Sequence, residues 1–228
     1  MDGAMRRVFI AGAAGYVGGR LAGELARRGH SVSGLVRAGS ERKLSANCAP
    51  VFGDALDAST FLEKIGGADT FVQLVGVAHP SPTKARQFRE IDLRSCEQSV
   101  QAAVANAVQH FVYISVAHPA PVMRAYVEVR RQCEEMIRAS ALNATILRPW
   151  YGFGPGHFWP YRLKPGYWLV RQIPSMREGA TRLGLVKLEQ MVAVLVLSVE
   201  APAAGTRIVE VPEIASGRTP QPAERASA

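Results

Sequence analysis

Residues 8–18 read Val-Phe-Ile-Ala-Gly-Ala-Ala-Gly-Tyr-Val-Gly, and this stretch decides the fold. An apolar run, Val8 to Ala11, stops at Gly12. Gly15 and Gly18 follow at intervals of three, and a helix-like stretch continues from Tyr16 to Arg28 before Gly29. The pattern predicts a strand, a tight glycine turn and a helix. Such a unit suits a dinucleotide: Gly12 allows the turn and Gly15 lets backbone approach a pyrophosphate. Gly18 lets the helix lie on the strand, and the helix N-terminus offers free N–H groups to the phosphates. A glycine-rich turn without a ligand is the simpler alternative.

Outward from this unit, strand and helix signals alternate with a regular rhythm, which argues for βαβ units and a parallel sheet. Strands are expected at Val8–Ala11, Ser31–Val36, Pro50–Phe52, Thr70–Val75, His110–Val116 and Thr145–Leu147. Helices are expected at Tyr16–Arg28, Ala58–Ile65, about Phe88–Ala107 and Met123–Ser140. After Arg148-Pro149 the texture changes. Residues 150–181 hold all three Trp with many Pro and Gly, and regularity returns with a strand at Leu183–Val186, a helix at Leu188–Glu200 and a strand at Thr206–Val211. The expected division is a dinucleotide-binding domain over 1–149, a small C-terminal substrate or partner subdomain over 150–214, and a disordered tail over 215–228.

Bulk properties narrow the function. Hydrophobic residues at 48% and charged residues at 20% are those of a globular chain with a sizeable core. The longest apolar stretch, Met191 to Leu197, is far below the roughly 20 residues of a membrane span, and the opening MDGAMRRVFI has no apolar signal core. A cytoplasmic protein is expected. Cys48, Cys96 and Cys133 are scattered and fit no zinc spacing, and the histidines show no paired-ligand spacing, so no metal is expected. The net charge of +8 is spread along the chain without a basic block interleaved with aromatics, which argues against a nucleic-acid partner.

Arg37 ends the second strand, where a dinucleotide fold faces the adenosine ribose. An acidic residue there suits the 2′-OH of NAD and an arginine the 2′-phosphate of NADP. With Ser40, Arg42 and Lys43 close behind, NADP is favoured and NAD is the alternative. A surface arginine at a strand end remains open. In Gly53-Asp54-Ala55-Leu56-Asp57, Asp57 is placed to cap the next helix. Gly76, after Val75, permits close backbone approach or simply ends a strand. Tyr126 and Arg130 are four apart on one helix face.

The GxxGxxG spacing resembles the short-chain dehydrogenase/reductase superfamily, in its extended and atypical branches. The GDxxD segment, the YIS at 113–115, Tyr126 with Arg130, and the run SALNATILRPWYGFGPG carry the same resemblance. The similarity covers residues 6–156 and continues weakly to about 212. It is strongest to NmrA-like proteins, to relatives of the nucleotide-binding accessory subunit of respiratory complex I, and to NAD-dependent epimerase/dehydratase-type enzymes.

The resemblance implies an α/β doubly wound parallel sheet of order 3-2-1-4-5-6 with a small C-terminal addition. It implies a cofactor site made of Gly12, Ala14, Gly15, Tyr16, Val17, Gly18, Arg37, Gly53, Asp54, Ala55, Val75 and Gly76, with Asp54 accepting from the adenine amino group. It implies a catalytic set of Ser115, Tyr126 and Arg130. Ser115 would polarise the substrate oxygen and Tyr126 would transfer the proton, its pKa drawn down by adjacent positive charge. The family's lysine is replaced here by Arg130, which keeps the charge but cannot relay a proton.

Two functions follow: an NADP-dependent oxidoreductase or epimerase/dehydratase acting on a small molecule, in one reading an apolar one, or a non-catalytic protein that holds or senses the dinucleotide. The aromatic-rich 150–168 would line a substrate pocket, dock a protein partner, or pack a small core.

Overall fold

A computed structural model of the chain describes residues 4–120, 122–153 and 183–217. Its first strand, β1 (Arg7–Ala11), is buried on both faces after Arg7. Val8 and Ile10 face one half of the core, while Phe9 and Ala11 face the other. Two-sided burial is what a central parallel strand requires, and it explains an apolar run without polar alternation. On one side lies α1 (Gly18–Arg27), whose Leu21, Ala22 and Leu25 form a helical stripe against the sheet.

The turn between β1 and α1 depends on missing side chains. Gly12 has φ +92°, in the left-handed region. A Cβ on Gly18 would stand 2.1 Å from the Gly12 carbonyl oxygen, so only glycine allows the helix to start so close to the strand end.

The remaining strands are β2 (Ser31–Val36), β3 (Cys48–Phe52), β4 (Thr70–Gln73), β5 (His110–Ile114), β6 (Ala144–Arg148), β7 (Tyr151–Phe153), β8 (Leu185–Lys187) and β9 (Thr206–Glu210). Seven form one sheet of order β3-β2-β1-β4-β5-β6-β9, and every pairing is parallel. The expected 3-2-1-4-5-6 order is present, extended by one strand. Phe9, Phe71 and Phe111 occupy the same register on β1, β4 and β5, and their rings pack with centroids 5.1 and 5.4 Å apart. Residues 183–217 join this sheet and core. β9 pairs with β6, α5 (Leu188–Glu200) packs on the face that α1 covers, and α6 (Val211–Ser216) closes over it. Ala215 and Ser216, which the sequence reading placed in the tail, belong to α6; positions 218–228 lie outside the described residues.

Several elements differ from the sequence reading. The helix expected at Ala58–Ile65 is two 3-10 turns, Ala58–Thr60 and Leu62–Lys64, with Gly66 and Gly67 at positive φ soon after. Asp57 caps the first turn, its carboxylate accepting from the Ser59 N–H at 3.1 Å. The helix expected from Phe88 begins earlier. It consists of α2 (Ala85–Gln87), a π-helical segment Phe88–Leu93, and α3 (Arg94–Ala105). The last major helix on that face is α4 (Arg124–Ala139). Among the described residues, no helix is long and apolar enough to cross a membrane.

Candidate functional site

Two adjoining clefts open at the carboxyl ends of the strands, where a doubly wound sheet binds its ligands. The first, of about 470 Å³, gathers Gly12, Ala14 and Gly15 from the glycine turn with Arg37, Gly53, Asp54, Ala55, Val75 and Gly76 from the ends of β2, β3 and β4. The second, of about 280 Å³, is lined by Tyr16, Val17, Ser115, Tyr126 and Arg130 together with Trp150. Leu74 lines both. Gly18 lines neither and stands at the contact between helix and strand.

The first cleft is built to take a phosphate-bearing ligand. The Gly15 N–H closes the turn onto the Gly12 carbonyl at 3.0 Å. The first turn of α1 holds no acidic side chain to compete for the positive end of the helix. Arg37 is exposed at the mouth, with Ser40 and Lys43 on the same wall. The Asp54 carboxylate accepts from the Leu56 N–H at 3.0 Å, which holds the turn after β3.

The second cleft is different, because its Ser115 and Arg130 side chains are already engaged. The Ser115 hydroxyl donates to Glu134 at 2.6 Å. Glu134 is buried and also accepts from Arg148 at 3.0 and 2.5 Å and from Arg138 at 2.9 Å. Burial pushes the Glu134 carboxyl up, but the hydrogen bonds from Arg148 and Ser115 outweigh it and hold the group below its ordinary range. Arg148 also reaches Glu210 on β9 at 2.8 Å.

The Arg130 side chain is likewise buried. It donates to Asp92 at 2.6 Å, to the Tyr113 hydroxyl at 3.0 Å and to the Ile114 carbonyl at 2.9 Å. Burial opposes its charge, yet Tyr113, Tyr126 and Asp92 around it raise its pKa well above the ordinary value. The guanidinium lies 5.0 Å from the centroid of the Tyr126 ring, which packs on Phe88 from its other neighbour. Gly76 has a second use here. A Cβ on it would stand 2.6 Å from the Arg130 guanidinium and 3.0 Å from the Asp92 carboxylate, so the missing side chain makes room for the pair.

Asp92 and Glu134 were not singled out by the sequence reading as site residues. Asp92 sits in the π-helical segment, and its charge within an otherwise mixed helix carried no signal. Glu134 follows Arg130 by one helical turn, a spacing common on any helix. Of the aromatic stretch 150–168, Trp150 lines the second cleft, while residues 154–168 lie outside the described residues. Among the described residues, no three His, Cys, Asp or Glu side chains gather to hold a metal ion.

This glycine turn, walled by the ends of four parallel strands, agrees with comparison to known proteins. Residues 12–151 match the family described as NAD(P)H-binding, more than half of the chain. The chain belongs to the NAD(P)H-binding family. Within and around that family, it is 27% identical to the 3-diazoavenalumate denitrifying reductase of Streptomyces sp, over 87% of this chain and 74% of the relative. It is 28% identical to the chloroplastic protein TIC 62 of Pisum sativum over 62% of this chain, a match that spans only 32% of the pea protein. Among solved structures, the Bordetella bronchiseptica enzyme WbmH, in complex with NAD+, superposes with a TM-score of 0.68 at 22% identity, over 90% of this chain and 75% of WbmH. That likeness shows the fold: a Rossmann-type parallel sheet of order 3-2-1-4-5-6 with flanking helices.

Proposed function

We propose that this chain is an NADP(H)-dependent oxidoreductase acting on a small molecule, with the dinucleotide along the first cleft and the reacting carbonyl or alcohol in the second. The observation that carries this reading is the junction of the two clefts at Leu74, with the glycine turn on one side and Tyr126 on the other. When bound, the nicotinamide supplies or accepts the hydride. The glycine turn and the N-terminus of α1 hold the pyrophosphate, and Arg37 and Lys43 meet the 2′-phosphate. Tyr126 gives its phenolic proton to the substrate oxygen during reduction and recovers it from solvent. Ser115, whose own proton is directed at Glu134, can accept a hydrogen bond from the hydroxyl of the alcohol form of the substrate. The family membership and the similarity to a protein named a reductase support this reading.

The test has two parts. Calorimetric titration of the nucleotide-free protein should show NADPH bound more tightly than NADH. Tyr126→Phe should then abolish NADPH oxidation with a panel of small aldehydes and ketones while leaving NADPH affinity within about threefold. Turnover unchanged in Tyr126→Phe would sink the assignment.

A second reading is favoured by one observation: both Ser115 and Arg130 direct their donors at buried carboxylates. In that reading the dinucleotide is a structural or sensed ligand. NADPH held tightly, with no oxidation across the panel, is its expected signature.

A further inference from the structure

The second cleft lies between the two halves of the core. Trp150, Leu188 and Met191 belong to the half that α1 and α5 cover, and Tyr126 to the other. Leu188 and Met191 are three apart at the start of α5 and share one helix face. Tyr16 and Val17 from the glycine turn, with Leu74 and Val116 just past the ends of β4 and β5, extend this apolar lining. Three half-buried aromatic side chains, Tyr16, Tyr126 and Trp150, thus line a cavity of about 280 Å³ together with a thioether. Aromatic rings and methionine sulfur both favour an aromatic guest. The volume suits a single ring, since drug-sized ligands fill pockets of about 300–1,000 Å³.

The charges at this cleft are already matched. Among the described residues, Arg130 is the one charged side chain in the lining, and Asp92 faces it at 2.6 Å. Arg20 lies over the Tyr16 ring, 4.4 Å from its centroid, and donates to the Tyr16 carbonyl at 2.9 Å. Glu189 occupies the first turn of α5 and meets the positive end of that helix. Among the described residues, a carboxylate or phosphate entering here would lose its water and find each cation beside the cleft engaged. We propose that the second cleft takes an uncharged, single-ring aromatic aldehyde or ketone, and that Met191 selects against anionic analogues; this rests on the oxidoreductase reading above. In the reduction, the carbonyl carbon takes a hydride from NADPH and the oxygen takes the Tyr126 proton, which leaves a benzylic alcohol and NADP+.

The first readout is binding and needs no turnover. Benzamide and benzoate share a ring and nearly a shape but differ in charge. Calorimetric titration of the NADPH-loaded protein should show benzamide bound about tenfold more tightly than benzoate. In Met191→Lys, which puts a cation into the wall, that order should reverse. An unchanged order in folded Met191→Lys would overturn the part given to Met191. The parent protein's order is read without any variant, so it stands as a test even if Met191→Lys does not fold. Benzoate bound as tightly as benzamide, or neither bound, would overturn the proposal. The second readout is NADPH oxidation with benzaldehyde, 4-carboxybenzaldehyde and glyceraldehyde 3-phosphate, where benzaldehyde should lead by about tenfold in kcat/KM. Faster turnover of either anionic aldehyde would overturn the proposal and leave the oxidoreductase reading standing. Benzamide preferred to benzoate with no aldehyde reduced would support the ligand class and remove the oxidoreductase reading.

Discussion

The two clefts are built from the same sheet end but in opposite ways. The first is an open cradle of backbone and small residues, with exposed cations at its rim. The second is lined by side chains that are anchored from behind: Ser115 by Glu134, and Arg130 by Asp92. A cradle of this kind needs a ligand to complete it, whereas the anchored cleft is organised before anything binds. Energy for recognition is therefore concentrated in the first cleft, and stability of the fold in the residues behind the second.

The largest effect should come from behind the second cleft. Among the described residues, Glu134→Leu would leave Arg148 with Glu210 as its one carboxylate partner and would strip Ser115 of its acceptor. Removing one member of a buried charge network costs about 4 kcal/mol. Chemical denaturation should report a loss of that order, with the denaturant slope preserved. A loss under about 1 kcal/mol would mean that the network is as dispensable as a surface ion pair.

A buried group at the opposite, amino-terminal end of the sheet sharpens the contrast. His110 is fully buried on β5 and pairs with the Thr145 hydroxyl at 3.0 Å. Burial, with the positive charges of Arg207 and Arg6, lowers its pKa from 6.5 to about 4. Its folded value lies below its unfolded value, so the unfolded chain binds the extra proton first. The stabilisation is complete above pH 6.5 and is lost as pH falls toward 4, by up to about 3 kcal/mol. His110→Gln should flatten that part of the stability–pH curve. An equally steep curve in the variant would assign the acid sensitivity to other groups.

The difference between the clefts also explains what the sequence made legible. The first depends on glycine spacing and on residues that directly follow strands, so Gly12, Gly15, Arg37 and Gly53 could be read from local pattern. The second cleft depends on partners far apart in the chain. Asp92 meets Arg130, and Glu134 meets Arg148 and Ser115, only because the topology brings α4 against the π-helical segment and the ends of β5 and β6. No short-range pattern encodes such pairs. The same holds for β9, a modest apolar strand whose place beside β6 is a matter of long-range packing.

A smaller effect tests the cradle's tightest contact. Gly18→Ala places a Cβ 2.1 Å from the Gly12 carbonyl oxygen, so α1 must shift from β1. Overpacking of this kind costs about 2 kcal/mol. NADPH affinity should fall with the melting temperature, because the same backbone forms the turn. A variant that melts lower yet binds NADPH unchanged would separate the turn from the ligand.

The smallest expected effect is also the most selective. The Arg37 side chain is exposed and, among the described residues, has no hydrogen bond or ion pair, so Arg37→Ala should leave stability within about 0.5 kcal/mol. It shares the wall of the first cleft with Ser40 and Lys43, and Lys43 keeps part of the positive charge there. Loss of one charge-assisted contact should weaken NADPH binding about tenfold and leave NADH binding unchanged. Measured by calorimetry, an equal loss for both dinucleotides would move Arg37 from the ribose phosphate to a part that the two ligands share. An unchanged preference would transfer discrimination to Lys43, and Lys43→Ala in the same assay would then carry the tenfold effect.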